Sequence, residues 1–161
     1  MTETCSGCGR AVAGGTAGCR SDFDALVGRD FSDARFFASH NLLVDTYALQ
    51  HPDEFCRSGK SLAAHLCRLS LLLGDDADKA ARIAAIRAWL DGPRALEKPL
   101  IPSRRGATTL ADLAGIDDPA AWRAALTAWA QSTWSAWRDL HPIAGQWVAE
   151  ALASGRSGRS R

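Results

Sequence analysis

Two cysteines separated by two residues, Cys5-Ser-Gly-Cys8, are followed directly by Gly9. Thiolates at that spacing can chelate one ion from a single tight turn, and glycine permits the backbone conformation that the turn needs. Zinc is the expected ion, because it takes four tetrahedral sulfur and nitrogen ligands. Cys19 lies close enough in sequence to supply a third ligand, and a histidine or Cys56 from farther along would complete the set. The same spacing also serves thioredoxin-like redox pairs, but those place the first cysteine at a helix start after a strand. Here the flanks are rich in glycine and carry no strand pattern. Cys67 reads as a small buried hydrophobe. Cys56, next to Arg57, is the better candidate for a reactive thiol, since a nearby cation favours thiolate.

Three histidines fall on the apolar side of helical patterns: His40, His51 and His65. Neutral imidazoles facing inward can ligate zinc, iron or copper, or can be hydrogen-bonded core residues. On a straight helix, His40 and His51 return to within about 20° of one face but stand about 16 Å apart along the axis. At most one of them then joins His65 or the cysteines at a given ion, unless the helix unwinds before His51-Pro52. Tyr47, one turn before His51, can touch it or serve as a core ring. Asp45 could orient a ligand from outside the metal's own ligands, although it lies well around the helix from His40, where a solvated position is open to it.

The elements that must position these groups are helical. Ser21-x-x-Asp24 resembles a capping box that opens a short helix through Phe23, Leu26 and Val27. Ser32 can cap a second helix reaching about Gln50 and stopped by Pro52. Ser58 or Ser61 starts a third, which buries Leu62, His65, Leu66, Leu69, Leu72 and Leu73 and closes at Gly74. A fourth runs from about Asp76 to Asp91 and breaks at Gly92-Pro93. Residues 92–107 read as an exposed loop that crosses the surface, covers a site or meets a partner. Thr109-x-x-Asp112 forms another capping box, and Asp118-Pro119 opens a long helix with Trp122, Leu126, Trp129 and Trp137 as core anchors. Pro142 ends or kinks it before a last amphipathic segment through Ile143, Trp147 and Leu152. No internal repeat is evident. The expectation is an all-α, single-domain helical bundle over residues 1–153, with 1–20 as a Cys/Gly-rich metal-binding segment, 21–153 as helices, and 154–161 as a disordered basic tail.

Composition narrows the function classes. The 161 residues are 47% hydrophobic, enough for a core without disulfides. Outside the tail with Arg156, Arg159 and Arg161, 16 basic residues face 18 acidic ones, which argues against nucleic acid as a partner. No stretch approaches the roughly 20 apolar residues of a membrane span, and the polar start lacks a signal-peptide pattern. A cytoplasmic location is expected, where thiols stay reduced and five cysteines are better read as ligands or core residues than as bridges.

The chain resembles an uncharacterised bacterial domain-of-unknown-function family that opens with a Cys-Pro-x-Cys-Gly knuckle and a later Gly-Cys. Its His-x-Leu-x-Val-Asp-x-Tyr-x-x-Gln-His-Pro signature is matched by His40, Leu42, Val44, Asp45, Tyr47, Gln50, His51 and Pro52. A Ser-x-x-x-His-Leu element matches Ser61, His65 and Leu66, and the Trp-rich terminal helices match Trp134, Trp137 and Trp147. Ser6 stands where proline is usual, Arg20 where an aromatic is common, and Pro142 where a second histidine follows His141, so no role is carried to that histidine. The resemblance implies a shared helical fold and metal-like signature, and no substrate.

Together these readings favour a mainly structural zinc site built on Cys5, Cys8 and Cys19 with one of His40, His51 or His65, and with Asp45 and Tyr47 as supporting residues. One alternative is a metal-dependent enzyme with an open coordination position in a pocket lined by His40, Tyr47, His51 and His65. Another is an interaction module using 92–107 and an exposed tryptophan patch near Trp134. The partner is then a small molecule or a protein, and no residue is assigned a catalytic role because no phosphate loop, nucleophile elbow or cofactor fingerprint occurs.

Overall fold

Short helices need tertiary packing to persist, and here they find it around one central helix. The computed structural model describes residues 1–157. Strands β1 (Thr2–Thr4) and β2 (Ala11–Ala13) form an antiparallel hairpin with Thr2 opposite Ala13 and Thr4 opposite Ala11. Helices α1 (Gly15–Ser32), α2 (Ala34–Phe37), α3 (His40–Gln50), α4 (Pro52–Phe55), α5 (Gly59–Leu73), α6 (Lys79–Asp91), α7 (Pro119–Ala136) and α8 (His141–Ser157) follow. Two 3₁₀ turns, Leu110–Leu113 and Arg138–Leu140, precede α7 and α8. Among the described residues no helix is long and apolar enough to cross a membrane.

Helix α3 packs against α1, α5 and α7 and is buried from Asp45 through Gln50. Each of its interior polar side chains makes at least one hydrogen bond, as burial requires, although Gln50 Oε1 has no partner among the described residues. Thr46 Oγ1 donates to the Leu42 carbonyl at 2.7 Å, and Gln50 Nε2 donates to the carbonyls of Arg105 and Thr108, each at 2.8 Å. Helices α3 and α7 join two apolar cores. In one, Leu43, Tyr47, Trp122, Leu126 and Trp129 pack with Phe23 and Phe36. In the other, Leu49, Ala130 and Trp137 meet Leu62, Leu66 and Leu69 of α5, Ile86 and Trp89 of α6, and Trp147 of α8.

The local stop signals act as their chemistry dictates. Ser58 and Ser61 make a reciprocal capping box at α5, and Gly74 follows its last turn. Thr109 and Asp112 make another, and the Asp118 side chain accepts from the Ala121 amide to start α7 at Pro119. Residues 92–108 form no regular element but are strapped to the body through Gln50 and through Ser132 Oγ, which accepts from the amides of Ala107 and Thr108.

Three expectations are corrected. The segment 1–20 is a hairpin followed by a helix that already begins at Gly15, six residues before Ser21. The expected helix from Ser32 to Gln50 is interrupted at Asp33 and again at Ala38 and Ser39, because the Asp33 side chain turns back to accept from the Arg35 amide and caps α2. Helix α8 continues through Ser157, into the stretch read as a tail, while residues 158–161 lie outside the described residues.

Leu66 is fully buried between α5 and its neighbours, so Leu66→Ala is expected to cost about 2–5 kcal/mol in urea unfolding. Gly28 lies inside α1 with open space where a Cβ would go, so Gly28→Ala is expected to add about 0.5–1 kcal/mol in the same assay.

Candidate metal centre

The hairpin turn carries two of the sulfurs. The Cys5 amide donates to the Arg10 carbonyl at 2.8 Å and the Gly9 amide to the Cys5 carbonyl at 2.9 Å, which closes a loop that points Cys5 and Cys8 to one side. Gly9 has φ 77°, a left-handed conformation that glycine adopts without a steric penalty. Cys19 comes from the second turn of α1, where the helix lies against the hairpin.

His51 arrives from the opposite side. The helical backbone stops at Gln50, and His51 sits at φ −124°, ψ 54° between α3 and α4, with Pro52 opening the next turn. Its Nδ1–H donates to the Tyr47 carbonyl at 2.9 Å, leaving Nε2 as the free nitrogen. That nitrogen lies 3.4 Å from both Cys5 Sγ and Cys19 Sγ, and Cys8 Sγ lies 3.9 Å from Cys19 Sγ. All four donor atoms fall within 4.8 Å of one another, and all four residues are buried.

These distances fit a tetrahedral ion. With sulfur at about 2.3 Å and nitrogen at about 2.0–2.1 Å from zinc, sulfurs stand about 3.8 Å apart and a sulfur stands about 3.5 Å from a nitrogen. Cys5, Cys8, Cys19 and His51 can therefore hold a metal ion, and the carbonyl on Nδ1 is the partner that orients a ligating imidazole. The electrostatics ask for a cation. The hydrogen bond from Cys19 pulls the Cys8 thiol down to about 4, while the same contact and burial push Cys19 up. Burial lowers His51, but its contacts with Cys8, the Tyr47 carbonyl and Cys5 outweigh this and leave it raised. Three sulfurs this close share protons unless a cation neutralises them.

The profile of the Family of unknown function (DUF5946) matches residues 3–138. The chain belongs to that family. The match takes in the hairpin, His51 and α3, so all four converging side chains lie within the DUF5946 region. No curated protein and no solved structure matches the chain.

Of the expected ligands, Cys5, Cys8, Cys19 and His51 are brought together, and His40 and His65 are not. His40 opens α3 and pairs its Nδ1 with buried Asp30 at 3.2 Å. His65, on α5, pairs its Nδ1 with Asp45 at 2.9 Å. Asp45 is fully buried, against the solvated position left open to it, and it supports His65 and Arg68 rather than the cluster. Tyr47 does reach the site: its ring stacks on His51 with centroids 3.8 Å apart, and its hydroxyl points at Cys19 Sγ from 3.9 Å. Burial pushes that hydroxyl's pKa up, so it remains a neutral donor.

Cys56 is no reactive thiol. It is fully buried, lies 3.8 Å from the Ala48 carbonyl, and burial pushes it up to about 12. Cys67 is likewise buried and pushed up to about 12, as a core residue should be. The Trp134 face is not an open aromatic patch either, because His141 stacks on Trp134 at 3.8 Å and bonds its carbonyl. The helix end expected at about Gln50 before Pro52 is found there, whereas Gly7 is a feature that spacing alone misses. Gly7 packs so closely on His51 that a Cβ there would lie 2.1 Å from Cδ2. Gly7→Ala should displace the imidazole and weaken metal retention in a chelator competition, whereas Gly28→Ala should leave it unchanged.

Proposed function

We propose that the chain binds one zinc ion through Cys5, Cys8, Cys19 and His51, and that the ion is structural, fastening the N-terminal hairpin to the helical body. The observation that supports this reading is the convergence of four buried donor atoms at tetrahedral spacing, drawn from the hairpin turn, α1 and the α3–α4 junction. A closed set of four protein ligands is the structural pattern, and an open position is the catalytic one. Beside Cys8 and Cys19 the crevice lined by Arg10, Val12 and Leu110 has only about 10 Å³, room for about one water and no substrate. The histidines that an open-site enzyme would use, His40 and His65, are held on buried carboxylates elsewhere. The site needs reduced thiols, which suits a cytoplasmic location.

Zinc would supply a Lewis-acid centre whose charge the thiolates offset while the neutral imidazole completes the tetrahedron; the residues do the rest. Cys5 and Cys8 fix the hairpin turn, Cys19 ties it to α1, and His51 ties both to the central helix. Sites of this kind contribute about 10–16 kcal/mol of apparent binding energy in small zinc domains.

Metal analysis of untagged protein should find about one zinc per chain. Cys5→Ser and His51→Ala should lose most of it, while His40→Ala and His65→Ala should keep it. Full zinc retention in both Cys5→Ser and His51→Ala would refute the assignment. Chelation should accelerate amide exchange in residues 1–20 and leave α5 and α7 protected. If cobalt-substituted protein instead gave five-coordinate spectra that respond to added small ligands, the closed structural site would be wrong.

A further inference from the structure

Asp45 is fully buried and takes no part in the metal centre, yet both its oxygens are engaged by charged or polar partners. Arg68 donates to them from Nε and Nη2, each at 2.6 Å, and His65 Nδ1 stands 2.9 Å away. A buried ionic group of this kind seldom stabilises a fold better than apolar side chains of the same volume. Its effect here is to lock one edge of the Arg68 guanidinium. The other edge, Nη1, makes no hydrogen bond among the described residues, and Arg68 lines a cavity of about 680 Å³ between the start of α3, α5 and α6.

Arg87 lines the same cavity with no ion pair or hydrogen bond among the described residues. Lys60 adds a third cation, with Nζ on the Gly92 carbonyl, against the single carboxylate of Asp91. The wall between the guanidinium groups is apolar, made by Ile83, Ile86 and Leu90. The start of α5 also opens here, but Ser58 and Ser61 cap it with each other's hydroxyls, which leaves the two guanidinium groups as the charged free donors, with the Asn41 amide beside them.

We propose that this cavity binds a small organic carboxylate carrying an apolar chain. The carboxylate sits on Arg68 Nη1 and Arg87, and the chain covers Ile83 and Leu90. The volume lies within the roughly 300–1,000 Å³ of small-molecule sites, and an oriented arginine is the residue suited to planar carboxylates. An inorganic anion would leave the apolar wall wet, and an uncharged chain would leave Arg87 without a counter-ion and Arg68 Nη1 without an acceptor. None of the four clustered metal-site residues lines the cavity, so the inference stands independently of the zinc reading.

Calorimetric titration of the full chain at low salt with octanoate, 1-octanol and inorganic phosphate tests it. Octanoate should bind saturably and at least about tenfold tighter than either of the others. Loss of a hydrogen bond to a charged group is worth about ten- to a hundredfold, and Arg87→Gln should weaken octanoate by about the lower figure. Arg87 is exposed, so this variant folds whatever happens to Arg68→Gln. Ile83→Glu, which places a negative charge on the wall, should abolish binding without changing zinc content. No saturation by octanoate, equal affinity for octanoate and octanol, or unchanged octanoate affinity in Arg87→Gln would each overturn the proposal.

Discussion

The N-terminal hairpin buries very little apolar surface, and its buried anchor is the meeting of three sulfurs and one imidazole. Every residue of β1 is exposed, and of β2 only Val12 is half-buried. Fixing a residue's backbone costs about 1–2 kcal/mol, and so little apolar burial cannot offset that over the length of the hairpin. What the hairpin does contribute to the interior is Cys5 and Cys8. Cys19 then binds it to α1, where Gly18 passes so close to Ala13 that no side chain would fit between them. The donor cluster is thus the buried point of coupling between the first strand pair and the helices, beside the exposed bonds of Ser6 to Thr16 and of Arg10 to Asp112.

That coupling depends in turn on the end of α3. His51 is delivered by a helix that stops one residue earlier, with its ring laid on Tyr47 and Tyr47 laid on Phe23, centroids 3.8 and 3.9 Å apart. The imidazole is therefore the last member of a three-ring stack that runs back to α1, and its tilt is set by packing as well as by the Tyr47 carbonyl. Gln50 beside it pins residues 105–108, whose continuation starts α7. Asp45, on the other side, pins α5. A short helix carrying Asp, Thr and Gln into the interior would be a poor core element by hydrophobicity, but Asp45 and Gln50 each tie a different neighbour to it, and Thr46 is satisfied within the helix by the Leu42 carbonyl.

Much of this was legible because it is local. Ser58 with Ser61, Thr109 with Asp112, and Asp118 with Pro119 act within one helical turn, and all three boundaries fall where the residues place them. The Cys5-x-x-Cys8-Gly9 turn and Cys19 were legible for the same reason. The hairpin was not: strands of three residues with small or polar side chains show no alternation, and their pairing follows from the turn that the cysteines close. Nor was the start of α1 at Gly15, since four glycines among residues 9–18 read as loop, whereas two of them supply the left-handed backbone that turns β2 into the helix. The break at Asp33 is a competition that side-chain capping won over helix continuation.

The selection of one histidine from three is the step no spacing could give, and the structure shows what decides it. All three imidazoles use Nδ1 on an oxygen, so each presents Nε2 as its free nitrogen. What differs is the oxygen. His40 and His65 are matched to Asp30 and Asp45, carboxylates buried with almost no access to water; removing the His40 ring would leave Asp30 without its hydrogen-bond partner, whereas Asp45 would keep Arg68. His51 Nδ1 bonds a neutral carbonyl at a helix end, where the chain has already left the helix, and the Tyr47 stack and the close approach of Gly7 hold the ring toward the sulfurs. The two buried carboxylates come from α1 and α3, and their positions are fixed only once the helices have packed. Of these three histidines, the two on helices are taken by buried carboxylates, and the sulfur cluster meets the one that the carboxylates leave.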